Sequence, residues 1–365
     1  MTGLPDRPYQ VGVIVSPHPH AAGYLRTLEA LREVEAIHLC GVEGADLASL
    51  AGDLSKVRSR TASAGDLLAR PEIDALIVCV RNDLCPRILA DAVAAGKAAL
   101  FEKPGALRVA DLRRIADLAR QRGVPLGTMF QWRGHPIIHE VRQALQSGAL
   151  GRVMAVEARM VTSQVRYRDP SHWLFRRATA GSGILSWLAC HYLDLLCFFL
   201  GERVTEVVAL VGQRNPERIE VEDTACLAFR FQSGVLGTLH AGYHLAGSRS
   251  GYSGAAYDTF LALRGTDGYV RLPLSEGNRY TLVSEAPGWA AGGRRERIFE
   301  LPASPAYGGR AGEQFVLDFL QAARTGGVPP APIDAAVHVL EIVEAALESS
   351  ATGRLVRVGS VGPAG

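Results

Sequence analysis

The sequence Leu100-Phe101-Glu102-Lys103-Pro104-Gly105 decides how the first part of the chain folds. A short apolar segment, 98–101, leads into it and is predicted to be a strand. Proline cannot donate to a strand ladder, so this strand must end before Pro104. In open α/β sheets, ligands bind beyond the carboxyl ends of the strands, so we expect Lys103 to face a site. The alternative is a solvated Glu-Lys pair in a turn.

Apolar and helix-like segments alternate on both sides of this stretch. The segments predicted as strands are 11–15, 36–42, 73–80, 98–101 and 125–130. The segments predicted as helices are 24–32, 45–54, 84–95 and 110–121. Because strands and helices alternate, we predict a doubly wound parallel sheet, forming a Rossmann-type dinucleotide-binding domain over residues 1–130.

The pattern changes after residue 130, where strands follow one another without helices between them. The predicted strands are 153–161, 204–211, 224–231, 235–243, 259–264, 269–272, 280–283 and 297–301, and the predicted helices are 136–147, 183–200, 313–323 and 335–350. Consecutive strands joined by turns are typical of antiparallel pairing. Residues 131–365 are therefore predicted to form an α+β domain with a large, mainly antiparallel open sheet.

Composition narrows the class of protein. A chain of 365 residues favours two domains, and its 48% hydrophobic and 21% charged residues are typical of a soluble globular protein. The formal net charge of +2 favours neither nucleic acid nor a membrane as partner. The apolar segment 184–200 contains His191 and Asp194 and is too short to span a bilayer, so we predict a buried helix. Six cysteines without a Cys-x-x-Cys pair favour reduced thiols and a cytoplasmic protein.

Several short motifs in this order resemble the Gfo/Idh/MocA oxidoreductases, the glucose–fructose oxidoreductase and inositol dehydrogenase family. They are 77–83, Ala94-Ala95-Gly96-Lys97 leading into Glu102-Lys103-Pro104, Gln131-Trp132-Arg133 with His135-Pro136, 147–151, and 181–196. Members mostly oxidise or reduce a carbinol carbon of a sugar or cyclitol with NAD(P). The resemblance implies such a small polyol or sugar-like substrate, lying between the first sheet's carboxyl edge and the second sheet. It also implies that residues 131–365 serve substrate binding and oligomerisation, and that the protein is a homodimer or homotetramer.

The same resemblance assigns the chemistry. It implies that Lys103 hydrogen-bonds the reacting oxygen and that His191 carries the proton, a pairing suited to hydride transfer. Trp187 stands four residues before His191, where the family usually has Asp. Its indole suits stacking on a sugar ring, and the alternative is a core residue. The predicted substrate-binding residues are Lys103, Trp132, His172, Trp173, Arg176, Trp187 and His191.

The predicted cofactor is NAD, with NADP left open. The family's Gly-x-Gly-x-x-Gly positions fall on Val15, Pro17 and His20, which form a poor backbone cradle for phosphate, so a rigid structural turn is the alternative. Glu43 could bind the adenosine ribose diol or be a solvated loop acid. The predicted cofactor-binding residues are Ser16, His18, His20, Glu43, Val80, Arg81, Asn82, Glu102, Lys103, Gln131 and Arg133.

No metal is expected, because a zinc site of His172, Cys190 and His191 has the spacing of no known ligand pattern. The leading hypothesis is an NAD(P)-dependent oxidoreductase acting on a secondary hydroxyl or ketone of a sugar-like or cyclitol substrate. The alternative is a family member that has lost nicotinamide chemistry and binds a ligand or partner. The missing glycines and Trp187 favour that alternative, whereas Glu102-Lys103-Pro104 and His191 favour the enzyme.

Overall fold

A computed structural model describes residues 7–247, 255–289 and 293–359. The chain divides into two compact units, one of Met1–Gly134 with Leu301–Val337 and the other of His135–Glu300 with His338–Gly365. The predicted two-domain arrangement placed 301–337 in the second domain, whereas this segment belongs to the first unit. Its attachment is by backbone pairing: Thr128 N–H donates to the Ala331 carbonyl at 2.7 Å, and Gly127 forms a bridge with Pro332.

The first unit contains a six-stranded parallel sheet, as predicted. Its strands are β1 Tyr9–Val15, β2 Val34–Gly41, β3 Val57–Thr61, β4 Ala75–Cys79, β5 Ala99–Phe101 and β6 Leu126–Thr128, in the order β3-β2-β1-β4-β5-β6. Strand β4 is buried along its whole length, as expected for a sheet covered on both faces. The edge strand β3 was not predicted, because none of its residues is fully buried and its sequence has no apolar run.

Helices follow the strands of this sheet. They are α1 Ala21–Ala30, α2 Leu47–Ala51, α3 Ala64–Leu68, α4 Cys85–Ala94 and α5 Val109–Arg122. Later in the chain lie α6 Pro136–Gln146, α7 Arg177–Ala180, α8 Cys190–Leu200, α9 Gly309–Thr325 and α10 Ile333–Thr352. A single π-helical turn, Leu185–Ala189, directly precedes α8 and was not predicted.

The second unit contains a nine-stranded mixed sheet. Its strands are β7 Val153–Ser163, β8 Val204–Gly212, β9 Thr224–Phe231, β10 Leu236–Leu245, β11 Tyr257–Gly265, β12 Gly268–Leu272, β13 Arg279–Ser284, β14 Arg294–Ile298 and β15 Val356–Arg357. The order is β14-β13-β12-β11-β7-β10-β9-β8-β15, and only β7 and β10 pair in parallel. The prediction of a mainly antiparallel sheet is confirmed. Strand β14 begins three residues earlier than the segment 297–301 predicted for it.

One face of this sheet exposes apolar side chains. Side chains alternate between the faces of a strand, and in β8 the buried Val207 and Ala209 alternate with Val208 and Leu210, which are 46% and 77% exposed. Leu236 on β10 is 52% exposed. A concave pocket of about 240 Å³ lies there, lined in part by Val208, Ala228, Leu236 and Leu355.

The apolar segment before β8 is a core helix. In the described ranges, the span Arg177–Leu200 is long and apolar enough to cross a membrane by length and composition. However, 78% of its apolar window is buried inside the protein, as is common for a core helix of a soluble protein. This helix therefore lies in the interior of the second unit.

Candidate active site

The loops that follow β1 and β4 mark the ligand-binding edge of the first sheet. The strand order reverses between these two strands, and ligands bind at such a switch point, outside the carboxyl ends of the strands. Two hydrogen bonds join the loops: Ser16 N–H donates to the Cys79 carbonyl at 3.2 Å, and Arg81 N–H donates to the Ser16 hydroxyl at 3.0 Å. Ser16 is fully buried, so its side chain connects the two loops.

The first loop has few backbone donors available for phosphate. Pro17 and Pro19 have no N–H. Three other N–H groups donate within the protein: Ser16 to Cys79, His20 to the His18 Nδ1 at 3.2 Å, and Ala21 to the His18 carbonyl at 3.1 Å. A glycine-rich loop would instead point these groups at a pyrophosphate. The side chains of His18 and His20 are what this loop can offer to an anion.

A buried carboxylate lies at the centre of the site. The Glu102 Oε2 accepts a hydrogen bond from the Tyr24 hydroxyl, and the His20 Nδ1 lies 3.2 Å from the same oxygen. Its Oε1 lies 3.5 Å from the Nζ of Lys103. Glu102 and Lys103 are 2% and 0% exposed. The predicted residues Glu102 and Lys103 are therefore brought together with His20 in one cluster.

The charges of this cluster keep Glu102 ionised. Burial by itself raises the pKa of the Glu102 carboxyl, but the adjacent His20 and Lys103 outweigh it and hold that pKa well below its usual range. Burial lowers the pKa of His20, against the opposing effect of Glu102. Burial and the Glu102 charge raise the pKa of Tyr24 well above 10.0, so Tyr24 stays protonated and donates a hydrogen bond to Glu102. The site thus holds a fixed negative charge directly beside the lysine.

A second group of predicted residues lies at the ends of β2 and β4. Arg81 donates from Nε and Nη2 to the two carboxylate oxygens of Asp83, at 3.0 and 2.9 Å, and its Nη2 lies 3.8 Å from Glu43. The hydrogen bonds to Asp83 raise the pKa of Arg81. Glu43 has a φ of +52° and is half exposed, so its carboxylate faces solvent near the sheet edge. Val80 and Asn82, in contrast, are buried.

Polar groups also lie beyond β6. Residues Gln131–Gly134 form a 3₁₀ turn in which Arg133 donates to the Pro330 carbonyl at 3.2 Å. The Thr128 Oγ1 and the Gln131 Oε1 are buried and have no hydrogen-bond partner within the part of the chain described. Buried polar groups normally have a partner, so these two atoms fit a ligand rich in hydroxyls. With Glu43 and the switch point, they indicate that this edge suits a dinucleotide, although its phosphate loop is unusual.

The second unit positions the predicted histidine on α8. His191 is the second residue of this helix and is 5% exposed, and Trp187 in the preceding π-turn is 4% exposed. Isolated π-turns in helices are frequent at functional sites. The Trp187 ring packs edge-to-face on Trp173, with centroids 6.2 Å apart, and Trp173 lies 5.6 Å from the His172 ring. Three predicted substrate residues, His172, Trp173 and Trp187, thus form one aromatic group.

The segment before β9 fixes the start of that helix. The buried Glu222 accepts from the Ser182 hydroxyl at 2.7 Å and from Leu185 N–H at 3.1 Å. Burial raises the pKa of Glu222, against the opposing effect of these hydrogen bonds. The predicted substrate residue Arg176 instead pairs with Glu220 at 3.1 Å, with both side chains nearly half exposed. Arg176 is thus held by the same segment of the chain.

Sequence reasoning missed three residues of these sites. Tyr24 carries a signal in hindsight, because it follows His20 by one helical turn. Tyr307 carries no such signal. Its backbone N–H donates to the Thr27 hydroxyl 280 residues earlier, and its ring lies 4.5 Å from that of His20 and 5.2 Å from that of Tyr24. Arg168 is 6% exposed, donates to the Thr162 hydroxyl at 3.2 Å and lies over the Tyr243 ring in the second unit.

No group of three His, Cys, Asp or Glu side chains suited to a metal ion occurs among the described residues. His172, Cys190 and His191 therefore do not form such a group, and the expectation of a metal-free site remains a prediction.

Comparison with known proteins places these sites in context. Residues 14–130 match an oxidoreductase family with an NAD-binding Rossmann fold, and residues 138–271 match the GFO/IDH/MocA C-terminal domain. The 1,5-anhydro-D-fructose reductase of Ensifer adhaerens is 30% identical over 232 residues, which cover 60% of this chain and 69% of the relative. The myo-inositol 2-dehydrogenase of Thermotoga maritima is 28% identical over 178 residues, covering 48% and 51%.

A solved structure of levoglucosan dehydrogenase in complex with NADH and L-sorbose shares the fold. Its TM-score is 0.82 with 20% sequence identity, over 97% of this chain and 100% of that chain. The likeness therefore extends through both units, including the segment that returns to the first one.

Proposed function

Because the chain belongs to the GFO/IDH/MocA family of oxidoreductases, we propose that it transfers a hydride between NAD(H) and a secondary hydroxyl or ketone of a sugar-like or cyclitol substrate. It is an NAD(P)-dependent oxidoreductase with NAD(H) as its cofactor. The observation that carries the proposal is Lys103, a fully buried cation at the carboxyl end of β5 with the ionised Glu102 beside it.

The first unit has residues for each part of the dinucleotide. Glu43 accepts hydrogen bonds from the adenosine ribose hydroxyls, because its carboxylate is exposed after β2. Most backbone N–H groups of the loop after β1 already donate within the protein. His18 and His20 therefore contact the phosphates with their side chains. Arg81, Asn82, Gln131 and Arg133 remain candidate contacts at the same sheet edge. NAD(H), when bound, supplies or accepts the hydride.

Lys103 and His191 perform the proton and charge chemistry. The Lys103 ammonium donates a hydrogen bond to the reacting oxygen, which stabilises the negative charge that develops there as the hydroxyl is deprotonated. The His191 imidazole accepts the hydroxyl proton during oxidation and returns it during reduction. The chain has Trp187 in place of the usual acid before His191, so the imidazole works without that carboxylate.

The aromatic group favours a ring-shaped polyol as substrate. Trp173 and Trp187 present flat apolar surfaces, and the CH face of a sugar or cyclitol packs well on such rings. The names of the relatives, an anhydrofructose reductase and an inositol dehydrogenase, agree with this class. Trp132, His172 and Arg176 are the further candidates for contacts with its hydroxyls.

Ligand-dependent stability tests the proposal first. Thermal unfolding is measured with NAD, NADH, NADP and NADPH at millimolar concentration, and a cofactor present at 100 times its Kd stabilises by about 2.7 kcal/mol. We expect stabilisation by NADH and a smaller effect of NADPH. Glu43→Gln should reduce the NADH effect, and the exposed Glu72→Gln serves as the matched control.

Turnover is then followed by NADH absorbance with a panel of sugars, anhydrosugars and inositols. His191→Asn and Lys103→Met should each lower kcat by about 100-fold or more, because each removes a group that acts on the reacting oxygen. If none of the four nucleotides stabilises the protein, the redox proposal fails and the ligand-binding or partner-binding alternative replaces it.

Two further properties belong to this proposal. The apolar face of the second sheet, with Val208, Leu210 and Leu236, is a surface for a second copy of the chain, giving a homodimer or, with a further contact, a homotetramer. The cysteines are free, and four of the six are buried, which supports a cytoplasmic location.

A further inference from the structure

The cluster around Glu102 contains several aromatic side chains in addition to the predicted catalytic lysine. Four separate segments contribute to it: the loop after β1 with His20, the first turn of α1 with Tyr24, the residues after β5, and the returning segment with Tyr307. His20 stands where the family's loop usually ends in its third glycine. A ring at this position adds an interaction that a glycine cannot make.

The two oxygens of Glu102 have different neighbours. Tyr24 donates to Oε2 and the His20 Nδ1 lies 3.2 Å from the same oxygen, so the carboxylate cannot rotate without losing a charge-assisted hydrogen bond and a close polar contact. Its Oε1 is thereby turned towards Lys103, 3.5 Å from Nζ. The neighbours of Oε2 set the orientation of the carboxylate. That orientation determines where the Oε1 charge lies relative to Lys103.

Lys103 needs such a constraint. A lysine ammonium sits on a flexible four-carbon stem, so its position depends on the charges around it. A misplacement of about 1 Å at a reacting centre can cost about 100-fold in rate. Lys103 is fully buried and its Nζ lies 3.5 Å from the ionised Glu102, so a shift of this carboxylate acts directly on the ammonium.

We propose that His20 is a positioning residue for Lys103, acting through the Glu102 carboxylate that His20 and Tyr24 hold in place. Tyr307 supports this arrangement by packing against the rings of both His20 and Tyr24. The inference rests on the proposed catalytic role of Lys103, but it can be tested on the free protein. On this inference, the loop after β1 that lacks the glycines helps to fix the position of Lys103.

The lysine content of the chain makes a direct test practical. There are three lysines, Lys56, Lys97 and Lys103. Lys56 Nζ donates to the Leu28 and Leu31 carbonyls, and Lys97 Nζ donates to those of Arg70 and Ile73, so both are internal references away from the cluster. Protein labelled with ¹³C at lysine Cε gives three NMR signals, and Lys103→Arg identifies that of Lys103.

Three variants and a control are compared without cofactor. Tyr24→Phe removes the hydrogen-bond donor to Glu102, His20→Ala removes the Nδ1 contact, and His20→Asn keeps a side-chain amide close to the position of Nδ1. The control is Arg26→Gln, an exposed change on the same helix as Tyr24. We expect the Lys103 signal to move in His20→Ala and Tyr24→Phe, to return towards the wild-type position in His20→Asn, and to stay in place in Arg26→Gln.

Kinetics and cofactor binding complete the test. We expect kcat to fall about 10- to 100-fold in His20→Ala. The Kd for NADH, measured by fluorescence, reports separately on the proposed contact of His20 with the phosphates. If the Lys103 signal is unchanged in both His20→Ala and Tyr24→Phe, the inference is wrong. It is also wrong if His20→Ala weakens NADH binding without moving that signal, since His20 is then only a cofactor contact.

Failure of the proposed function has a different signature. In that case the wild-type protein neither binds NADH nor turns over a sugar, while the Lys103 signal still depends on His20. Should His20→Ala not fold, Tyr24→Phe decides alone, because it removes a single hydroxyl and keeps the ring.

Discussion

Removing the charge of Lys103 should destabilise the first unit, and the cost can be worked out from its burial. Glu102 and Lys103 are both inaccessible to solvent, with 3.5 Å between Oε1 and Nζ. Deleting one partner of a buried ion pair typically costs about 3–5 kcal/mol, because the other charge stays buried without compensation. The Tyr24 hydroxyl and the His20 Nδ1 still contact Glu102 in Lys103→Met, so we expect the lower end, about 3 kcal/mol. For a unit of this size that is roughly 6–12 °C in Tm.

A double variant separates charge from packing. In Glu102→Gln/Lys103→Met, neither side chain of the pair is charged, and the amide oxygen can still accept from the Tyr24 hydroxyl. We therefore expect a loss of only about 1 kcal/mol relative to wild type, so the double variant is more stable than Lys103→Met alone. Urea and thermal unfolding at pH 7.5 measure these differences, and Lys56→Met is the control, because its ammonium bonds only to carbonyls in a partly buried position.

The effect should also depend on pH in a definite direction. Folding lowers the pKa of Glu102 below its ordinary value of 4.5, so its ionised form stabilises the folded state above that value, and this contribution is lost as the pH falls towards the folded-state pKa. Removing the lysine raises the pKa of Glu102 and shrinks this contribution. The difference between wild type and Lys103→Met should therefore be largest at neutral pH and smaller near pH 4. The reasoning is refuted if Lys103→Met is as stable as wild type at pH 7.5. It is also refuted if the double variant is no more stable than Lys103→Met.

Two further changes test other parts of the structure. A Cβ at Gly183 would lie 2.0 Å from the Glu222 carbonyl oxygen, so Gly183→Ala should lower stability by about 2 kcal/mol or more in thermal unfolding, whereas Gly65→Ala, which has open space and lies in a helix, should be neutral or stabilising. An unchanged Tm for Gly183→Ala would contradict the close contact. Leu210→Glu should dissociate the proposed homodimer in light scattering, and Val328→Glu, an equally exposed apolar position in the first unit, should not. A monomeric wild type, or a Leu210→Glu dimer, would rule out that face.

The architecture could be predicted from the sequence where local patterns are strong. Buried strands such as 11–15 and 75–79 are continuous apolar runs, and the helices between them have their own periodicity, so the parallel sheet and the place of Lys103 at a strand end follow directly. The edge strand β3 was not predicted, because an edge strand buries few of its side chains and so needs no apolar run. The π-turn before His191 also leaves no periodic signature.

What the amino-acid sequence determined by itself is the order of elements, the lysine after β5 and the loss of the glycine loop. Only the tertiary structure decided that residues 301–337 join the first unit, that Tyr307 packs on His20, and that Glu102 is held from one side and faces Lys103 on the other. The physical reason is separation along the chain. A helix or strand is selected by neighbours a few residues away, whereas the Glu102 cluster joins side chains that are up to about 280 residues apart and meet only when the unit closes.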